Sequence, residues 1–252
     1  MQKMLGVRID PYTKKEVLEK AKAWLSGNTT HSLYTPNPEM LVEAHKYPVF
    51  KEILNRGDMN VCDGAGIALM SGGAYARFPG ADLMLALCEL AESQGSSIYL
   101  LGGGNRVAKN AKIFLKSKFP SLSIKGVHAG PRVERRTSGQ APLCKVISDD
   151  HEKLLAEIAM AKPDILFVAF GHVKQEWWID TFMSELPGVK IVMGVGGSFD
   201  FLAGTVSRAP KLFRIIGIEW LWRLIQQPRR FKRIFTAIFI FPFLVLKSYV
   251  IK

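Results

Sequence analysis

Asp63 stands at the exit of a short apolar segment, "NVCDGAGIAL", with glycines following at Gly64 and Gly66. A carboxylate at a strand end, beside backbone freed of side chains, suits several tasks. It can bond its own turn, hold a metal or a ribose, or take a proton from a reacting hydroxyl. Polar strand ends recur elsewhere. Thr35 and Asn37 bracket a proline in "YTPNPEML". Gly102, Gly103 and Gly104 close "YLLGGG", where backbone N–H groups ahead of a helix suit a phosphate. Gly171 opens "GHVKQEWWI", which puts Lys174, Gln175 and Glu176 on the first turn of a helix. Glu176 complements that end of the helix dipole, whereas Lys174 does not unless an anion binds there. Asp200 follows glycines in "VGGSFDFLAG", as a helix cap or a nucleotide contact. Arg77 precedes Pro79 and Gly80, and a guanidinium beside a helix start suits a diphosphate.

The elements that must position these residues alternate regularly. Thr13 and Glu16 have capping-box spacing, and Val17, Ala21 and Leu25 share one face of the helix that follows. Leu83, Leu87 and Leu90 do the same in "GADLMLALCELAESQG", which Gly95 is placed to terminate. Continuous apolar strands then alternate with amphipathic helices through "SIYLLGGG", "DILFVAFG" and "KIVMGVGG". This pattern predicts an α/β fold: a Rossmann-like, mostly parallel sheet with helices on both faces. Ligands of such sheets sit outside the carboxyl ends of the strands, where the polar segments above converge. Residues 129–145 lack a pattern and read as a surface loop.

Composition narrows the class. With 48% apolar residues in 252, the chain is not disordered and has ample core. Three scattered cysteines without a C-x-x-C pair point away from disulfides and to a reducing compartment. The N-terminus has no apolar signal region. No H-x-x-x-H, Asp-x-Asp or G-x-S-x-G pattern is present, so neither a metal site nor a serine nucleophile is expected. Residues 205–252 hold ten Lys or Arg against Glu219 alone, +9 of the chain's +12. The expected division is therefore an α/β domain, 1–204, and a basic, amphipathic helical appendage, 205–252. A basic tail fits nucleic acid or an anionic membrane. The apolar run at 234–246 favours the membrane. That run is short of the roughly 20 residues of a span and contains Pro242, so docking at the interface is expected. Its exposed apolar surface also allows a homo-oligomer.

Together, "TPNPE", "DGAGI", "RFPGADL", "YLLGGG", "DILFVAFGHVKQEWWI", "GVGGSFDFLAG" and "RAPKLFRIIGIEWLWRLIQQPRR" resemble the WecG/TagA/CpsF glycosyltransferases, family twenty-six, over nearly the whole chain. The resemblance implies an inverting hexosyltransferase of bacterial cell-surface polysaccharide synthesis. The hexose, of N-acetylmannosamine, N-acetylmannosaminuronic acid or glucose type, would pass from a UDP-sugar to a polyprenyl-diphosphate-linked sugar at the cytoplasmic face of the inner membrane. It implies that Asp63 is the general base and that Arg77 stabilises the departing UDP. Thr35, Asn37 and Gln175 match positions that contact sugar or acceptor, with Lys174 and Glu176 beside them. Gly102, Gly103, Gly104, Gly171 and Asp200 are assigned to the nucleotide. Arg208, Arg214, Arg223, Arg229, Arg230 and Arg233 are assigned to anionic lipid and the lipid diphosphate. No cofactor, metal or nucleic acid is implied. Two other classes remain to compare. A nicotinamide-dependent oxidoreductase would use the same sheet, but Val107 stands where its third fingerprint glycine belongs. A non-enzymatic basic module would leave the converging polar loops without a purpose.

Overall fold

The computed structural model describes residues 3–136, 143–210, 212–213 and 216–250, with Arg223 and Val250 described by backbone alone. Strands β1 (Lys3–Met4) and β2 (Val7–Arg8) form a small antiparallel ribbon. Helix α1 (Lys14–Leu25) starts at the expected capping box, with Glu16 and Thr13 bonding reciprocally. Then come β3 (His31–Tyr34), α2 (Pro38–Lys46), α3 (Pro48–Arg56), β4 (Met59–Asn60), α4 (Ala65–Met70), α5 (Gly80–Ser93), β5 (Ser97–Gly102), α6 (Asn105–Lys118) and β6 (Ser123–His128). After β7 (Val133–Arg135) and β8 (Cys144–Val146) follow α7 (His151–Ala161), β9 (Ile165–Ala169), α8 (Lys174–Phe182), β10 (Ile191–Gly194) and α9 (Ser198–Leu202).

Six strands make one sheet in the order β4-β3-β10-β9-β5-β6, and every pairing is parallel. Every residue of β5, β9 and β10 is buried, which explains why these strands read as unbroken apolar runs. Apolar residues of α2, α3, α7 and α8 fill the core on one face, and those of α1, α5, α6 and α9 fill the other. The chain leaves β3 through α2 and α3 but leaves β5 through α6, on opposite faces. The crevice between those departures opens at the carboxyl ends of β3, β10, β9 and β5. Helix α5 ends as its sequence requires. Gly95, at φ +66, lets its own N–H reach Glu92 and that of Ser96 reach Ala91.

One expectation needs correction. Residues 129–145 are not simply a loop, because β7 and β8 pair antiparallel with Val133 opposite Val146. Three-residue strands carry too few alternations to announce themselves; residues 137–142 lie outside the described residues. The segment after residue 204 forms the expected helical appendage, which packs against the α/β body. It contains α10 (Glu219–Gln226), α11 (Phe231–Phe235), a wider turn (Thr236–Ile240) and α12 (Phe241–Val250). Phe241 and Val245 are fully buried in the same core as Met40, Leu41 and Ile67. The helix also runs through Pro242. In the widened turn before it, the Phe241 N–H bonds Thr236 five residues back, relieving the backbone where proline supplies no donor. Among the described residues, no helix is long and apolar enough to cross a membrane.

Candidate active site

A cleft of about 330 Å³ lies at this carboxyl rim. Asp63 enters it because the chain leaves the sheet after the two residues of β4 and runs against the loop after β3, where the Asp63 N–H bonds the Pro36 carbonyl at 3.1 Å. Thr35 and Asn37 line the cleft beside it. Asn37 caps α2, its Oδ1 accepting from the Met40 N–H at 3.0 Å. Gly80 begins α5 between the reactive groups. A Cβ there would lie 3.1 Å from the Thr35 hydroxyl and 3.6 Å from Oδ2 of Asp63. Gly64 is required for packing, since a Cβ would collide with the Pro38 ring at 2.3 Å.

The opposite wall comes from the loops after β9 and β10. Gly171, His172, Gln175 and Asp200 line it. Gln175 Oε1 accepts from the Gly196 N–H at 2.9 Å, and its Nε2 donates to Glu176 at 2.7 Å. Gly194 makes room for this amide, as a Cβ there would lie 2.7 Å from Nε2. Glu176 is fully buried and also accepts from the Val173 N–H at 2.6 Å, so it braces the wall rather than facing the cleft. Burial pushes its carboxyl up to about 7 against those hydrogen bonds. Val173 sits at φ +71, a strained conformation for a β-branched residue, which the buried Glu176 helps to hold. Lys174 does not line the cleft; its charge acts instead on the Cys144 thiol of β8.

The glycine run is less exposed to a ligand than its sequence promised. Gly103 lines the cleft, but Gly102 and Gly104 do not. All three have positive φ, and the Gly103 N–H already bonds the Ala169 carbonyl at 3.1 Å. A Cβ at Gly102 would strike that carbonyl, so this glycine serves strand packing.

Cationic side chains come mostly from the tail. Arg208, Arg230 and Arg233 line the cleft; Arg229 is exposed away from it. Arg208 bonds Asp82 of α5 at 2.6 Å. Arg233 donates from Nε to Glu39 at 2.5 Å and from a terminal nitrogen to His172 at 3.1 Å. Arg77 is not among the lining residues. Its Nε donates to the Asp63 carbonyl at 3.1 Å, and a terminal nitrogen lies 3.5 Å from Glu219, which does line the cleft. Arg214 falls outside the described residues, as does the side chain of Arg223.

Sequence reasoning assigns no site role to Glu39, His172 or Glu219. The first two lie inside motifs that were noticed for other residues, and Glu219 is the single acid of a basic tail. Among the described residues, no three His, Cys, Asp or Glu side chains are grouped to hold a metal. Cys62, beside Asp63, has its thiol pushed up to about 12 by burial, so it supplies no thiolate at neutral pH.

The chain matches the glycosyl transferase WecG/TagA/CpsF family over residues 2–252. It is also 30% identical over 251 residues to proteins of Staphylococcus aureus strains MRSA252, MW2 and NCTC 8325. Each alignment covers 97% of this chain and 92% of the relative, named N-acetylglucosaminyldiphosphoundecaprenol N-acetyl-beta-D-mannosaminyltransferase. A carboxylate-bearing cleft at the switch point of a parallel sheet, and a match over nearly every residue, lead to one conclusion: the chain belongs to the WecG/TagA/CpsF family of glycosyltransferases.

Proposed function

We propose that this chain moves a hexose from a UDP-sugar to a polyprenyl-diphosphate-linked sugar, with inversion and without a metal ion. The observation that carries this reading is a single cleft in which Asp63 and Thr35 face space shared with Arg208, Arg230 and Arg233. The names of the Staphylococcus aureus relatives favour N-acetylmannosamine as the sugar and N-acetylglucosaminyl-diphosphoundecaprenol as the acceptor.

In the proposed step, Asp63 takes the proton of the acceptor hydroxyl as that oxygen bonds to the anomeric carbon. The bond from this carbon to the UDP oxygen breaks, and its electron pair leaves with UDP. One displacement inverts the configuration. Arginines meet the diphosphate charge of donor and lipid, the task a divalent cation performs elsewhere. Arg77 holds the Asp63 backbone and so acts on the base by position. The exposed aromatic face of α11 and α12, with the tail's positive charge, suits docking on the cytoplasmic side of an anionic membrane.

A panel of UDP-sugars with a synthetic prenyl-diphosphate-GlcNAc acceptor tests the reading, with the product anomer assigned by NMR. Transfer with inversion is expected, and UDP but not NAD should raise the unfolding temperature. Stabilisation by NAD without sugar transfer would replace this reading with the oxidoreductase.

A further inference from the structure

His172 stands where the cleft, α2 and the tail meet. Its Nδ1 lies 3.1 Å from a terminal nitrogen of Arg233. A guanidinium has five donors and no acceptor, so Nδ1 must accept. The imidazole is then neutral, with its proton on Nε2. Burial first, and the Arg233 charge second, hold its pKa below the usual histidine value, in keeping with that tautomer. Glu39 binds the same guanidinium at Nε, at 2.5 Å. Two nitrogens of one planar group are thereby fixed from two elements, α2 and the loop between β9 and α8. Two fixed points set both the place and the rotation of the plane. A side chain held at two points has less rotamer freedom to lose when a ligand arrives, which lowers that cost of binding.

We propose that His172 is a positioning residue: with Glu39 it holds Arg233 in the cleft so that the remaining guanidinium N–H groups meet a substrate diphosphate. The ligand chemistry is a diphosphate monoester or diester, carried by the nucleotide or by the lipid. This inference rests on the reading above that tail arginines serve diphosphates.

Calorimetric binding of UDP and of a water-soluble short-chain prenyl diphosphate tests it without requiring turnover. His172→Ala should weaken one of the two about tenfold or more, the loss expected when a charge-assisted contact is misplaced. Weakening of the prenyl diphosphate assigns Arg233 to the lipid; weakening of UDP assigns it to the donor. His172→Asn, whose carbonyl restores an acceptor for Arg233, should recover most of the affinity. Arg233→Lys keeps the charge but cannot bond both anchors, and should lose as much as His172→Ala. In an Arg233→Ala background, His172→Ala should add nothing. Two-fold or smaller effects on both ligands, an Asn variant as weak as Ala, or additive losses with Arg233→Ala would each overturn the proposal. Binding that behaves as expected in an enzyme that transfers no sugar would instead fault the proposed function alone.

Discussion

Arg77 donates from Nε to the main-chain carbonyl of Asp63 at 3.1 Å, so the guanidinium is anchored to the loop that carries the carboxylate. Arg77 also reaches Glu219, which ties the loop carrying the carboxylate to the start of α10. The guanidinium thereby links the strand-end loop that presents Asp63 to the tail. On the function proposed above, these contacts let Arg77 steady the candidate base.

Asp63→Asn keeps the shape of the side chain but removes the proton acceptor. The kcat should fall about 100- to 10,000-fold, the usual contribution of a general base. UDP affinity and unfolding temperature should stay near wild type. Turnover equal to wild type would reduce Asp63 to a turn residue.

Arg77→Ala removes the contacts to the Asp63 carbonyl and to Glu219 and lets the Asp63 loop drift. Loss of a charge-assisted hydrogen bond corresponds to roughly a ten- to hundredfold effect. That loss should appear in kcat, with the KM for UDP-sugar little changed because Arg77 does not line the cleft. Lys should rescue poorly, since a point charge cannot reach the carbonyl and Glu219 together. A large rise in donor KM with normal kcat would return Arg77 to the diphosphate.

Glu176 gives a pH signature. Its ordinary value is 4.5, and burial raises it to about 7 in the folded chain. Between those values the native state holds a proton that the unfolded chain has released. Its contribution to stability is therefore full below about pH 4.5 and is lost as pH rises to about 7, with a slope approaching about 1.4 kcal/mol per pH unit. Glu176→Gln should remove that slope from a profile of unfolding temperature against pH. An unchanged slope would mean another group titrates there.

Chelators should leave wild-type turnover unchanged. The reason is the cleft's own chemistry: Arg208, Arg230 and Arg233 line it and can meet the diphosphate charge. Strict dependence on magnesium or manganese would sink the arginine-based mechanism.

The alternation of apolar strands and amphipathic helices was legible because burial on both faces leaves a local trace. Val17, Ala21 and Leu25 are buried on one helix face, and Gly95 ends α5. The candidate cleft was legible at the strand ends, since Thr35, Asn37, Asp63, Gln175 and Asp200 all line it. What local pattern cannot carry is a contact made far along the chain. Glu39 and Arg233 are 194 positions apart, and nothing near either one announces the other. Burial of Phe241 and Val245 was hidden for a related reason. An apolar run looks alike whether it covers a protein core or a lipid surface. Lys174 and Arg77 show the remaining limit, since residue type gives charge but not direction.

The tail yields the final prediction, and its packing decides how to test it. Deleting residues 209–252 would uncover the core that Phe241 and Val245 fill, so a truncated protein should be destabilised whatever its membrane behaviour. Reversing charge at Arg230 or Arg233 would disturb the cleft. The outer face avoids both problems. Phe231, Phe235, Phe239 and Phe243 are 60%, 44%, 61% and 64% exposed. The rings of Phe231, Phe235 and Phe239 adjoin at 6.2 Å and 5.0 Å. Each phenylalanine placed in lipid contributes about 1.5–3 kcal/mol, and each nearby Lys or Arg about 1 kcal/mol. Four such rings with Arg229 and Lys232 would hold the protein on an anionic vesicle without a spanning helix. Replacing all four phenylalanines by serine should abolish co-sedimentation with acidic liposomes. Unfolding temperature and turnover of a water-soluble acceptor should persist, because these rings lie outside the core and the cleft. Arg229→Glu with Lys232→Glu should weaken vesicle binding most at low salt, where charge is least screened. Binding that ignores both the phenylalanine replacements and the acidic lipid would show that this face meets something other than a membrane.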